Sequence, residues 1–82
     1  RGEDLVCASA SMLAYTAAQA VLELREMGEL SRRPRISLRP GAAEIIATPK
    51  KGREETLRHT FWVIHCGLEA LAGNYPKCMI LE

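Results

Sequence analysis

Residues 4–28, DLVCASASMLAYTAAQAVLELREMG, decide the fold, because they combine a helix start, an apolar stripe and a helix stop. Asp4 is a typical N-terminal cap and Gly28 a typical C-terminal stop, so we predict one helix over residues 5–27. The stripe recurs every three or four residues, as on a buried helix face: Val6, Ala10, Leu13, Ala17, Val21, Leu24 and Met27. Many other positions are small, so this helix should pack closely against a neighbour.

Two short apolar runs after this helix predict a pair of strands. Residues 35–39 alternate polar and apolar, which is typical of a half-buried strand, and residues 42–48 form a second candidate. Pro40-Gly41 between them is a turn signal. We therefore expect an antiparallel hairpin.

A second amphipathic segment over residues 53–73 predicts another helix, whose apolar stripe is Leu57, Phe61, Ile64, Leu68 and Leu71. Gly73-Asn74 and Pro76 end it, and residues 78–81 predict a last strand. The order α-β-β-α-β predicts a single small α+β domain over residues 1–82, with two layers in which both helices pack on a thin sheet. A sheet this thin leads us to expect either missing N-terminal strands or pairing with another chain.

Composition narrows the function classes. The net charge is +1, and no aromatic residues interleave the basic cluster Arg32, Arg33, Arg35 and Arg39, so nucleic-acid binding is disfavoured. The three cysteines, Cys7, Cys66 and Cys78, form no disulfide or metal pattern, so we expect a reducing, cytoplasmic setting and no cofactor or metal. No segment reads as long and apolar enough to span a bilayer, so no membrane partner is expected.

Cys7 is the candidate reactive group. Three residues after a capping Asp4 it would stand in the first turn of the helix, where free N–H groups and the helix dipole favour a thiolate. The alternative from the residues alone is a buried helical cysteine that acts as a small apolar side chain. Its position at the edge of the Val6–Ala10 stripe suits a thiol that a cleft could reach.

The run Gly2-x-Asp4-Leu5-Val6-Cys7-Ala8-x-Ala10-Ser11 resembles the G-x-D-[IL]-V-C-A-x-x-S signature of the ribosomal-processing cysteine protease family, Prp or YsxB-like. The succeeding order of helix, hairpin, helix, Tyr75-Pro76 and last strand is similar to the family's layout over the whole chain. The resemblance implies a cysteine endopeptidase that removes a short N-terminal extension from a large-subunit ribosomal protein, or acts on a phage capsid-related protein.

The resemblance also implies roles for individual residues. Cys7 would be the nucleophile, Asp4 and Gly2 would shape the turn that presents it, and Ser11 would support the site by hydrogen bonding. Family members use a histidine in a Gly-His-Ala segment upstream of this motif and are homodimers. No such segment occurs in this sequence, so we expect the chain to be N-terminally incomplete. The alternative is a non-catalytic dimerisation or binding module on the same fold.

Four further residues have two interpretations each. His59 and His65 fall on the polar side of the second helix, where a solvated or Glu-paired histidine is favoured over a replacement base. Trp62 interrupts that polar face, which indicates either a contact surface or a residue covered by a loop or by a missing N-terminal strand. Tyr15, two turns after Cys7, either lines a substrate groove or packs on the hairpin.

Overall fold

The computed structural model describes residues 2–39 and 42–74, with side chains from Leu5 onward, and gives four elements in the order α1-β1-β2-α2. Helix α1 is Gly2–Glu26, strand β1 is Arg35–Arg39, strand β2 is Ala42–Ile46 and helix α2 is Glu54–Asn74. The predicted small α+β fold and its order are therefore confirmed. The turn at Pro40-Gly41, the last strand over 78–81, and the residues Tyr75, Pro76 and Cys78 lie outside the described residues.

Helix α1 begins one turn earlier than predicted. Its first residue is Gly2, so the backbone of Asp4 is already helical, whereas a capping residue needs a non-helical backbone. The predicted cap at Asp4 is therefore wrong. Cys7 consequently stands in the second turn of α1 and not in the first.

The other end of α1 closes as the sequence predicts, at Gly28. The Glu29 N–H donates to the Leu24 carbonyl at 3.0 Å, and the Gly28 N–H donates to the Arg25 carbonyl at 3.1 Å. This pair of bonds is the Schellman motif, and Gly28 takes the positive φ of 81° that it requires. Met27 lies in this turn with 68% of its surface exposed, so its predicted place in the core stripe is wrong.

The two strands form the predicted antiparallel hairpin, with Ile36 opposite Ile45 and Arg39 opposite Ala42. The second strand ends at Ile46, two residues earlier than predicted. The pairing resumes beyond the strands, because the Ser31 N–H donates to the Thr48 carbonyl at 2.9 Å. This bond ties the segment after α1 to the segment before α2.

Helix α2 packs chiefly on α1 rather than on the hairpin. One close contact is at Gly67, where an added Cβ would lie 2.8 Å from Leu13 Cδ2. The small core nearby contains Val21, Leu24 and Leu30, with Leu57 and Phe61 of α2 against it. Leu57 and Phe61 begin the predicted α2 stripe, and none of the α2 residues is fully buried.

The described residues leave many large apolar side chains in contact with solvent. Those more than a third exposed are Leu5, Met12, Tyr15, Leu22, Met27, Leu38, Ile46, Trp62 and Val63. The molecule is elongated, 43 × 22 × 18 Å. Each helix packs on its neighbours along one side only, so its other sides remain exposed. These exposed groups mark surfaces that are suited to contact with other protein.

The expectation that no segment could span a bilayer is corrected for α1. Leu5–Glu26 is long and apolar enough by length and composition, with a mean hydropathy of 1.5. The run from Leu5 to Leu22 contains no charged residue, and its alanines raise the hydropathy despite the interspersed Ser, Thr and Gln. Core helices of soluble proteins and signal sequences pass the same test, so this is weak evidence for a membrane.

Candidate functional site

An open cleft of about 510 Å³ lies between α1 and the end of the hairpin where Arg39 pairs with Ala42. Its α1 wall is built from residues that recur at three- and four-residue spacings, so they share one helix face: Cys7, Ala10, Ser11, Ala14 and Tyr15. Its other wall is the end of the hairpin: Leu38, Arg39, Ala42 and Ala43. The cleft is therefore mostly apolar, with one thiol, two hydroxyl groups and one guanidinium group.

Cys7 is exposed and lines this cleft, so it is not the buried structural cysteine of the alternative interpretation. The adjacent Val6, which is 5% exposed, anchors the same turn of α1 in the interior. One residue therefore holds the helix while the next presents a thiol at the surface. The expected edge-of-core position of Cys7 is confirmed.

The helix-start argument for an activated thiol does not apply at Cys7. Only the first four N–H groups of a helix are free, and the effect of its dipole fades within the first turn. Because α1 begins at Gly2, the N–H of Cys7 belongs to the hydrogen-bonded part of the helix. Access through the cleft, rather than the helix terminus, is the structural feature that singles out this thiol.

Ser11 lies one turn after Cys7 on the same wall, as the motif spacing predicts. Both side chains border one cavity, so a ligand bound there would meet the thiol and the hydroxyl together. Gly2 and Asp4 belong to the first turn of α1, and the structure describes their backbone only. Their predicted roles in shaping the site stay predictions.

Tyr15 borders the cleft two turns after Cys7, with 56% of its surface exposed. Tyr15 therefore lines a groove, and its contact with a substrate there stays a prediction. Ala10 and Ala14 lie between the two residues and keep the wall low enough for a bound chain to reach the helix surface. Tyr15 supplies an aromatic side wall with a polar tip.

Sequence reasoning missed the hairpin half of the cleft. Leu38 and Arg39 end one strand and Ala42 and Ala43 begin the next, and the pairing of the two strands places all four residues beside α1. The available signal was the Pro40-Gly41 turn, which places its flanking residues together at one end of the hairpin. Nothing in that signal says which end of the hairpin lies against Cys7.

The two histidines lie on α2 and not in the cleft. His65 Nε2 is 3.5 Å from Glu69 Oε2, and His59 Nε2 is 4.0 Å from Glu55 Oε2, with both histidines more than half exposed. The predicted Glu-paired surface histidines are confirmed. The described lining of the cleft contains no histidine, so these residues alone do not complete a Cys–His dyad.

The remaining singled-out residues also lie on α2. Trp62 is 60% exposed, next to the equally exposed Val63, so the described residues leave both uncovered. Cys66 is half-buried, in agreement with a structural role. Among the described residues no cluster of His, Cys, Asp or Glu could hold a metal ion.

The chain was compared with protein-family models, with curated proteins and with solved structures, and it matches none of them. The relation to the ribosomal-processing cysteine proteases therefore remains a prediction from the N-terminal motif.

Proposed function

We propose that this chain is the nucleophile-bearing part of a cysteine endopeptidase and that Cys7 is its nucleophile. The observation on which the proposal depends is the exposure of the Cys7 thiol in an open cleft between α1 and the Arg39–Ala42 end of the hairpin. The resemblance of the Gly2–Ser11 run to the Prp signature supplies the reaction class.

The chemistry follows the general course of nucleophilic catalysis. The Cys7 sulfur attacks the carbonyl carbon of the scissile peptide bond, and its proton passes to a general base. The C–N bond breaks, the amine leaves with a proton from the same base, and the acyl group stays on sulfur as a thioester. Water then attacks the thioester, which releases the acid product and restores the thiol.

In the proposal the general base is a histidine upstream of Arg1, as in the family that the chain resembles. A base must lie within hydrogen-bond reach of the thiol. His59 and His65 each accompany a glutamate on the outer side of α2, so they are not assigned this role.

The shape of the cleft favours an extended peptide as the substrate. Six of its nine lining residues have small side chains, which leaves room for a bound peptide chain between Tyr15 and the hairpin. The family resemblance makes the N-terminal extension of a large-subunit ribosomal protein the proposed substrate, with a phage capsid-related protein as the other option. It also implies a cytoplasmic location and a homodimer.

The test is cleavage of a ribosomal-protein N-terminal extension by the full gene product that contains this chain. We expect Cys7→Ala to abolish cleavage while the protein remains folded, because Cys7 is the one thiol in the described lining of the cleft and a thioester needs a thiol. Cys66→Ala is the matched control, since it removes a half-buried thiol outside the cleft. Undiminished cleavage by Cys7→Ala would sink the proposal.

A second pair of variants tests the position of the base. His59→Gln and His65→Gln should leave cleavage unchanged, because both side chains lie on the exposed face of α2. Loss of cleavage in either variant would move the base onto α2 and require a different arrangement of the dyad.

The other candidate function is a non-catalytic binding module on the same fold. The exposed Trp62 and Val63 on α2 favour it, because a large aromatic residue in the open is a typical contact residue. It predicts that no gene product containing this chain cleaves any ribosomal or capsid peptide, whereas Trp62→Ala weakens capture of a protein partner.

A further inference from the structure

The cleft beside Cys7 has one charged side chain among its described lining residues, and that residue is Arg39. The other polar groups are the Cys7 thiol and the hydroxyl groups of Ser11 and Tyr15, and the remaining lining residues are alanines and Leu38. No aspartate or glutamate occurs in this described lining. The fixed charge that these walls present to a bound chain is therefore positive.

Arg39 is an exposed residue that forms no ion pair within the described part of the chain. The Arg58 guanidinium lies 2.9 Å from a Glu55 carboxylate oxygen, whereas no described carboxylate lies within 4.0 Å of Arg39. A guanidinium without a carboxylate partner has its N–H donors hydrated. These donors can be transferred from water to a ligand without breaking an internal ion pair.

The register of the hairpin explains why Arg39 has no partner on the strands. Its cross-strand neighbour is Ala42, which has no polar side-chain atom. The one carboxylate of these two strands belongs to Glu44, which pairs in register with Ser37 and not with Arg39. The end of the hairpin therefore offers an arginine beside an alanine, and a ligand carboxylate can approach it from the cleft.

We infer that Arg39 is a specificity-determining residue, which selects peptides that have an aspartate or glutamate side chain facing the end of β1. The inference rests on the proposed function, because it names the class of peptide that the same cleft accepts. A guanidinium presents a planar fork of N–H donors, and a carboxylate can accept two parallel hydrogen bonds from it. A side-chain carboxylate is the peptide group that matches this fork in both charge and shape.

The same arrangement disfavours basic peptides. A lysine or arginine side chain of the peptide in this position would approach the positive Arg39, and the described lining has no carboxylate to receive it. Like charges brought together in a binding site raise the free energy of the complex. Selection therefore has two parts, the attraction of an acidic residue and the repulsion of a basic one.

The places of Arg39 and Cys7 define what the arginine does. Cys7 belongs to the α1 wall and Arg39 to the hairpin wall, so a peptide between the walls can contact both. The peptide would also cover Leu38 and the alanines, and the loss of water from these apolar groups strengthens the attraction between the two charges. Arg39 acts on the binding of the peptide and takes no part in the attack by sulfur.

The experiment uses the full gene product and a peptide series from one ribosomal-protein N-terminal extension. Glu, Gln or Lys is placed in turn at each position near the scissile bond, and all peptides are amidated so that no terminal carboxylate contributes. At one position kcat/KM should be at least about tenfold higher for Glu than for Gln, and lowest for Lys, because only Glu forms the charge-assisted hydrogen bonds. Arg39→Gln should remove this preference, and Arg39→Glu should reverse it in favour of Lys.

The matched control is Arg35→Gln. Arg35 is an exposed arginine on the same strand, but it pairs in register with Ile46 at the far end of the hairpin and is not among the described lining residues. This variant should keep the preference for Glu. The reversed preference of Arg39→Glu is a gain that a misfolded protein cannot produce, so it separates specificity from loss of structure.

A binding measurement distinguishes failure of this inference from failure of the peptidase proposal. In fluorescence anisotropy the Cys7→Ser gene product should bind the Glu peptide about tenfold more tightly than the Gln peptide, and Arg39→Gln in the same background should abolish the difference. Cleavage that does not depend on peptide charge, or a Glu preference that Arg39→Gln leaves intact, would overturn this inference alone. Absence of cleavage together with Arg39-dependent binding of the Glu peptide would overturn the peptidase proposal and support carboxylate selection. Absence of both would overturn both.

Discussion

Leu13 of α1 lies directly against Gly67 of α2, and a Cβ on Gly67 would be 2.8 Å from Leu13 Cδ2. The absence of a side chain at Gly67 lets the two helices approach at this point. Leu13 follows the cleft-lining Ala10 by one turn, so the helix contact and the cleft wall belong to adjacent turns of α1. The helix crossing is therefore one of the features that fix the position of Cys7.

The first prediction concerns Gly67. Gly67→Ala should lower the free energy of unfolding by about 1 kcal/mol, because the new methyl group must displace Leu13 and this outweighs the better helix propensity of alanine. Urea denaturation measures it. The matched control is Gly73→Ala, where nothing lies within 4 Å of the added Cβ, so that variant should gain up to about 1 kcal/mol. Equal effects at the two glycines would contradict the close contact.

The second prediction compares two valines. Val21 is 0% exposed and Val63 is 60% exposed, so their truncation should have very different effects. Val21→Ala should cost about 2 kcal/mol of stability through lost burial and the cavity it leaves, and Val63→Ala less than about 0.5 kcal/mol. Thermal and urea unfolding report both. A cost at Val63 as large as that at Val21 would mean that Val63 is covered in solution.

The third prediction concerns the end of α1. Gly28 has a φ of 81°, which a residue with a Cβ adopts only at a cost. Gly28→Ala should therefore destabilise the protein by about 1 kcal/mol, and Gly28→Asn by less, because asparagine tolerates this conformation better. Urea denaturation of the two variants gives the order. The reverse order would contradict the Schellman turn at this position.

The fourth prediction concerns the accessibility of the thiols. Cys7 is exposed and Cys66 is half-buried, so iodoacetamide at one fixed pH should modify Cys7 several-fold faster in the folded protein. Peptide mapping after timed quenching gives both rates in one sample. The difference should shrink in strong denaturant, since unfolding exposes both sites. Faster modification of Cys66 in the folded state would contradict the orientation of α1.

Much of this fold follows from local sequence signals. Gly28 predicted the end of α1 because only a positive φ closes the helix there, and the polar–apolar alternation over 35–39 predicted the first strand. The start of α1 was predicted wrongly, because a capping residue type such as Asp4 is also compatible with a helix interior. The packing of α2 on α1 depends on Gly67. In the sequence, a glycine at a helix contact looks the same as any other glycine within a helix, so this contact was not predictable.

The site was predictable only on its helical side. Cys7, Ser11 and Tyr15 share a face because a helix repeats every 3.6 residues, so their spacing alone places them together. Leu38 and Arg39 reach the same cleft through a contact between elements distant in sequence, which no local pattern encodes. The predicted activation of Cys7 also depended on a helix start at residue 5. Because α1 starts one turn earlier, at Gly2, Cys7 lies beyond the free N–H groups that would activate its thiol.

The most direct measurement is site-specific reaction of the full gene product with a peptide chloromethyl ketone derived from a ribosomal-protein N-terminal extension. Rates at Cys7 and Cys66 are read by peptide mapping and divided by the iodoacetamide rates at the same residues. If Cys7 is the nucleophile of a peptide-binding cleft, this ratio should be at least about tenfold higher at Cys7, and excess substrate peptide should abolish the difference. Equal ratios at the two cysteines, unaffected by the substrate peptide, would contradict the account.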